Sequence, residues 1–178
     1  VDLISALRVI HYPEAGSQLI RLLTGPRWRI GAKDIERLHR YASRLAKPVE
    51  EDLRLRQQEG LAKEDAVSLV DALDLLLDER NPEKIGFSDQ GLPRLKDAAQ
   101  TLRNFRRRTG MPLVEFVRVV EQELWLDIEV AANPRRKNPM AHLNAFAAVV
   151  SGYASNNNRP HLGAFLEWLE FADERERF

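Results

Sequence analysis

The sequence predicts an all-α fold, a bundle of roughly seven to nine helices that contains a helix-hairpin-helix-like element. Nearly every segment carries apolar residues at helical spacing. No segment has the alternating pattern of a strand or an Asn-Gly hairpin signal. The chain has 178 residues, of which 44% are hydrophobic and 30% are charged, so it is long enough to bury a core as a single domain.

Four helical segments are predicted in the N-terminal half, residues 1–80. They cover Asp2–Ile10, Ala15–Leu23, Lys33–Lys47 and Lys63–Glu79. In the third, the apolar positions on one face are Ile35, Leu38, Ala42 and Leu45. The stretch Pro48–Gly60 is highly charged, and we expect either a solvated helix or a mobile excursion.

The segment Asn81–Gly91 contains proline and glycine, and we predict that it divides the chain into two halves. The C-terminal half covers residues 92–178. Prolines then mark four helix starts, at Pro93, Pro112, Pro139 and Pro160. The inward positions predicted after them include Leu95, Ala99, Leu102, Phe105, Phe116, Val117, Val120, Leu124, Leu143, Phe146, Val150, Tyr153, Leu162, Phe165, Leu166 and Leu169.

The connection between the second and third segments is a short glycine-bounded hairpin with arginines at its tip: Thr24-Gly25-Pro26-Arg27-Trp28-Arg29-Ile30-Gly31. A helix that begins after Gly31 would offer free N–H groups and a partial positive charge, which favour a phosphate. A purely structural turn between helices needs glycine as well, so that alternative stays open.

Basic residues continue from the hairpin along the next segment. They recur at spacings of four, three, four and three residues, as Lys33, Arg37, Arg40, Arg44 and Lys47. On a helix these positions share one face, roughly opposite the apolar stripe, and could follow a duplex backbone. An ordinary solvated face has the same pattern. Weaker basic clusters are Arg103, Arg106, Arg107 and Arg108, and Arg135, Arg136 and Lys137.

The three tryptophans receive different interpretations. Trp125 and Trp168 lie in apolar-periodic segments, and we expect both in the core. Trp28 lies in the hairpin, where it can either stack on a base or sugar or anchor the turn on the core.

Composition restricts the function classes. The formal net charge is zero, so nucleic-acid binding would have to come from local patches. The absence of cysteine fits a reducing compartment, and there is no signal peptide or apolar run of about 20 residues, so we expect a cytoplasmic protein without a membrane partner. No Walker A sequence, metal-ligand histidine spacing or nucleophile elbow is present, so we expect no catalysis by this chain alone.

Three stretches carry a family resemblance: Asp2–Ile10, Leu19–Gly31 and Asp34–Ile35. Together they resemble the region of UvrD/Rep/PcrA-type superfamily 1 DNA helicases where a helix leads into the accessory 2B subdomain and an Arg-Gly-Ile-Gly hairpin follows. The form Pro-Arg-Trp-Arg-Ile-Gly looks most like the actinobacterial branch. Arg29 stands where many family members have glycine.

The resemblance implies that residues 1–178 are one helical accessory domain of a longer ATP-dependent 3′–5′ DNA helicase. ATP and Mg would belong to motor domains outside this chain, so no cofactor is expected within it. The implied partners are double-stranded DNA at a single-strand/duplex junction and the motor domains of the same parent chain. The hairpin residues that match are Thr24, Gly25, Arg29, Ile30 and Gly31. We add Arg27, Lys33, Arg37 and Arg40 to the predicted DNA-binding residues because of their charge and helical periodicity. Trp28 is added because of its aromatic ring.

We therefore expect a regulatory domain that contacts duplex phosphates without reading sequence. A helical protein–protein interaction domain is the alternative, which an exposed Trp168 or Phe171 would favour. A small all-α enzyme that uses scattered carboxylates is a third hypothesis, which would need a pocket with two converging acids.

Overall fold

The computed structural model describes residues 2–57, 67–126 and 140–176, and these ranges contain eight α-helices, one 3-10 helix and no strand. The predicted all-α multi-helix bundle is thereby confirmed. The helices are α1 (Asp2–His11), α2 (Gly16–Thr24), α3 (Ala32–Gln57), α4 (Leu69–Leu75), α5 (Gly91–Arg107), α6 (Leu113–Glu123), α7 (Ala141–Ser155) and α8 (Leu162–Glu176). The 3-10 helix is Pro82–Ile85.

Helices α3 and α4 differ most from the boundaries that periodicity predicts. Helix α3 runs past Lys47 to Gln57, which makes the first part of the charged stretch helical. Helix α4 begins only after Ser68, whose hydroxyl accepts a hydrogen bond from the Asp71 N–H at 3.0 Å and caps the helix. The remainder of the charged stretch, the start of the segment predicted from Lys63, and the cluster Arg135–Lys137 lie outside the described residues.

The chain divides into two compact units, residues 12–103 and residues 1–11 with 104–178. The segment Asn81–Gly91 lies inside the first of these units. In that unit, α4 packs against both α2 and α3. Its fully buried side chains include Leu19, Leu23, Leu38, Leu73 and Leu95.

In the unit formed by residues 1–11 and 104–178, α1 packs against α6 and α8, and α6 packs against α7. Its core is aromatic, because Phe105, Phe116 and Phe165 are all completely buried. Edge-to-face and tilted contacts extend this core, with ring centroids 6.0 Å apart for Phe146 and Phe165 and 5.2 Å apart for Tyr153 and Phe165.

The prediction that Trp125 and Trp168 lie in the core is wrong, since their exposed fractions are 52% and 42%. Trp125 follows the end of α6 with a φ of +59°, so the helical spacing no longer sets its direction. Phe165 and Leu166 occupy the buried face of α8, and Trp168 lies beside that face, partly exposed to solvent. Its ring contacts those of Tyr153 and Phe165 at 5.3 and 6.0 Å.

Candidate nucleic-acid interface

The hairpin between α2 and α3 is a compact turn closed by its own backbone. The Arg29 N–H donates to the Gly25 carbonyl at 2.9 Å, and the Ile30 N–H donates to the Leu23 carbonyl at 2.8 Å. Arg29 has a φ of +51°, in the left-handed region that glycine favours. Gly25 is tightly packed, because a Cβ there would lie 3.2 Å from the Leu22 carbonyl oxygen.

Trp28 anchors this hairpin on α5. Its side chain is only 2% exposed, and its indole N–H donates to Asp97 Oδ2 at 2.8 Å. The Arg27 guanidinium forms an ion pair with the same carboxylate at 3.2 Å and lies 5.6 Å from the Trp28 ring centroid. Ile30 is buried as well. The anchoring interpretation of Trp28 is thus confirmed, and its ring is not presented to solvent for stacking.

The charges that face solvent belong to Arg29 and Lys33, both of which are exposed. The Arg29 Nε donates to the Pro26 carbonyl at 3.2 Å, which keeps this side chain along the hairpin. Arg94 from α5 is a third exposed cation, and its Nη1 donates to the Arg29 carbonyl at 3.2 Å. Sequence reasoning missed Arg94, because nothing local indicates that the first turn of α5 lies beside the hairpin.

The basic stripe along α3 is partly neutralised by carboxylates of the same helix. Arg37 pairs with Asp34 at 3.5 Å, and Arg40 pairs with Glu36 one turn before it. Arg44 lies over the ring of Tyr41, 5.8 Å from the centroid. The side chain of Lys47 is outside the described residues. Lys33 is therefore the position of the stripe that adds most to the hairpin's positive charge.

The start of α3 carries a buried acid that sequence reasoning also missed. Asp34 is 5% exposed and accepts hydrogen bonds from the Ser88 N–H at 2.8 Å and the Ser88 hydroxyl at 2.6 Å. The same hydroxyl oxygen accepts from the Gly91 N–H at 2.9 Å, at the start of α5. Because this carboxylate already complements the helix dipole, attraction of an anion to this end of α3 depends mainly on side-chain cations.

The remaining residues that are predicted to contact DNA differ in their exposure to solvent. The Thr24 hydroxyl donates to the Ile20 carbonyl of its own helix at 2.9 Å. Gly31 is exposed, with open space where a Cβ would lie. Of the ten predicted residues, the exposed ones are Thr24, Arg29, Gly31, Lys33 and Arg40, those of intermediate exposure are Gly25, Arg27 and Arg37, and the buried ones are Trp28 and Ile30.

The weaker cluster at the end of α5 is engaged in intramolecular contacts. Arg103 binds the carboxylates of Asp74 and Asp78 at 2.9 and 2.8 Å, and Arg108 pairs with Glu123. The hydrogen bond from Arg103 and its positive charge hold the pKa of the Asp78 carboxyl below its ordinary value. These contacts account for Arg103 and Arg108 as structural residues.

The described ranges lack two other kinds of feature. They contain no group of three or more metal-ligating side chains that could hold a metal ion. None of the helices described is both long and apolar enough to cross a membrane. No protein-family model matches the chain, and no curated protein matches it.

Proposed function

We propose that this chain is a duplex-DNA-contacting accessory domain of an ATP-dependent 3′–5′ DNA helicase, and that the hairpin of residues 24–31 contacts phosphates. The observation that carries the proposal is the combination of a rigidly anchored turn with exposed cations at Arg29, Lys33 and Arg94. An anchored turn holds its backbone in place, so binding loses little loop entropy.

The backbone of Arg29 supports the helicase resemblance. Its φ of +51° is a conformation that glycine adopts without strain, and glycine occupies this position in many members of the family that the sequence resembles. In this chain, a guanidinium takes the place of the close backbone approach that glycine allows. The phosphate contact would then be a charge-assisted hydrogen bond, which is stronger than one between neutral groups.

The proposed contact is independent of base sequence. Arg29, Lys33 and Arg94 are cations that recognise phosphate oxygens, and phosphate contacts position a protein on a duplex without specifying bases. In this proposal the ATP site and the unwinding step belong to motor domains outside this chain. The hairpin domain would hold the duplex ahead of the fork and regulate unwinding by its orientation.

The test is a comparison of duplex affinities at low salt by fluorescence anisotropy. The variant Arg29→Ala/Lys33→Ala removes two exposed cations, and the control Lys84→Ala/Arg118→Ala removes two exposed cations elsewhere. We expect the hairpin variant to lose about tenfold in affinity, equally on two duplexes of unrelated sequence, and the control to lose less than about threefold. Equal losses in both variants would reject a hairpin site.

A second candidate function is protein–protein interaction, which the exposed aromatic residues of α8 favour. Trp168 is 42% exposed and Phe171, one turn later, is 67% exposed. Val149 on α7 is 40% exposed. It lies one helical turn before Tyr153, whose ring contacts that of Trp168. Large exposed apolar patches mark interaction sites in other proteins, and these exposed residues are candidates for such a patch.

Photo-crosslinking tests this second candidate. A photo-reactive amino acid at position 171 should give a discrete covalent adduct in cells that make the protein, and the same residue at exposed position 84 should not. If position 171 gives no adduct beyond that seen at position 84, the aromatic surface is not an interaction site.

A further inference from the structure

A cavity of about 280 Å³ that opens to solvent lies in the unit formed by residues 1–11 and 104–178, and His11, Thr109 and His161 in its lining are exposed. The C-terminal ends of α1 and α5 and the N-terminal end of α8 surround it. Its polar side chains come from His11, Arg106, Thr109 and His161, and its apolar walls come from Ile10 and Leu162. The proposed DNA contact uses none of these residues.

The lining of this cavity is suited to a negative charge. Arg106 is permanently positive, and its Nη2 donates to the Val9 carbonyl at 3.4 Å, which holds the guanidinium at the cavity. The imidazoles of His11 and His161 line the same space, and none of the lining residues within the described ranges is a carboxylate. The Thr109 hydroxyl proton is directed to the Arg106 carbonyl at 3.0 Å, so we do not count it as a donor.

His161 has a defined proton position in its neutral form. Its Nδ1 accepts a hydrogen bond from the Ala164 N–H at 3.2 Å, so Nδ1 is unprotonated. The proton is then on Nε2, which leaves that nitrogen as a donor. His161 therefore offers a hydrogen-bond donor even when its ring is uncharged.

Gly163 brings His11 close to the first turn of α8. A Cβ at this position would lie 2.8 Å from both Nε2 and Cε1 of the His11 ring, so only glycine permits this placement of the imidazole. The first-turn N–H groups of α8 lie at the same end of the cavity and favour an anion, whereas the C-terminal ends of α1 and α5 present carbonyl oxygens that disfavour one. Attraction of an anion therefore depends mainly on the side chains of Arg106, His11 and His161. One guanidinium and two imidazoles from three different helix ends thus meet around one space.

We infer that this cavity binds a phosphate group. Arg106 provides the permanent charge, His11 and His161 provide further hydrogen bonds, and Ile10 and Leu162 accommodate the apolar part of a small phosphate ester. The volume of about 280 Å³ lies just below the range typical of drug-sized ligand sites, about 300–1,000 Å³, and so suits only a small ligand. A small phosphomonoester and the terminal phosphate of a nucleic-acid strand share this chemistry.

The test follows histidine side-chain resonances by NMR while inorganic phosphate is added at constant pH and ionic strength, with chloride as the balancing salt. The chain has four histidines, and His39 and His142 do not line the cavity, so they are internal controls. We expect saturable shifts at His11 and His161 alone. Arg106→Gln should weaken phosphate binding about tenfold or more, whereas Arg107→Gln, one residue later on α5, should change it less than twofold.

Arg106→Gln also removes the hydrogen bond from Arg106 to the Val9 carbonyl, so a second variant is needed. Gly163→Ala keeps every charge and leaves Arg106 in place. Its methyl group would displace the His11 ring, and we expect several-fold weaker phosphate binding. Shifts at all four histidines, no saturation, or equal effects of Arg106→Gln and Arg107→Gln would overturn the inference.

A duplex with 5′-phosphates, compared with the same duplex with 5′-hydroxyl ends, then identifies the source of the phosphate. A preference for the phosphorylated duplex that Arg106→Gln abolishes assigns the cavity to a strand end. Saturable binding of inorganic phosphate without that preference assigns it to a small phosphate ester.

Discussion

The Asp34 carboxylate joins the start of α3 to the start of α5 through Ser88, and Gly91 makes this arrangement possible. A Cβ on Gly91 would lie 2.5 Å from Asp34 Cγ and 2.8 Å from Ser88 Oγ, distances at which atoms overlap. Asp34 is buried, so the carboxylate has no solvent to move into. The glycine at this position is therefore required by close packing.

We expect Gly91→Ala to lower the free energy of unfolding by about 2 kcal/mol or more, because it disrupts hydrogen bonds to a buried charge. Urea unfolding measures this loss. Gly152→Ala is the matched control, since α7 has open space at that position, and we expect it to stabilise the protein by about 0.5–1 kcal/mol. A neutral Gly91→Ala would show that the Asp34–Ser88 contact is dispensable.

Tyr41 provides a residue-scale test at high pH. Burial, followed by a hydrogen bond from its hydroxyl to Glu79 Oε2 at 3.1 Å, raises the pKa of Tyr41 to about 12. A raised pKa means that the folded state holds this proton more tightly. The resulting stabilisation is complete below the ordinary tyrosine pKa of about 10 and is lost as the pH rises towards 12.

Ultraviolet titration of tyrosinate follows this ionisation directly. We expect Tyr41 to ionise late, near pH 12, and this late step to be absent in Tyr41→Phe. A late step that persists in Tyr41→Phe would assign the raised pKa to a different tyrosine.

At the scale of elements, the hairpin is held against α5 by Asp97, which accepts from both Trp28 and Arg27. Asp97→Ala leaves the buried indole N–H without its acceptor. We expect it to cost about 1–3 kcal/mol of stability, and Asp97→Asn to cost less because the amide oxygen can still accept.

Hydrogen exchange of the three indole N–H groups locates this effect. In the wild type, the Trp28 indole should exchange slowly, while the indole of the exposed Trp168 should exchange fast. Asp97→Ala should accelerate exchange at Trp28 alone. Slow exchange at Trp28 in this variant would mean that burial without Asp97 is enough to anchor the hairpin.

The helices could be predicted from the sequence because their signals are local. The positions Phe116, Val117 and Val120 on α6 repeat with the helical period, and all are buried as predicted. The contacts that shape the hairpin are not local, since Trp28 and Asp97 are 69 residues apart and Asp34 and Ser88 are 54 apart. Periodicity also failed at Trp125, because a positive φ ends the helical spacing there.

At the scale of the whole molecule, the net charge of zero means that no general attraction draws this chain to DNA. Any affinity has to come from a local group of cations, and the ion pairs of Arg27, Arg37 and Arg40 reduce that group. Arg29, Lys33 and Arg94 remain as the exposed cations around the hairpin. We therefore expect weak binding that depends steeply on salt.

The most direct test is the salt dependence of duplex binding for the wild type and for Arg29→Ala/Lys33→Ala. Each phosphate contact contributes about 0.9 to the slope of log affinity against log salt, so the variant should have a slope smaller by roughly 1.8. That difference would establish two phosphate contacts at the hairpin. Equal slopes for the two proteins, or no binding by the wild type at low salt, would contradict the hairpin as a DNA-contacting site.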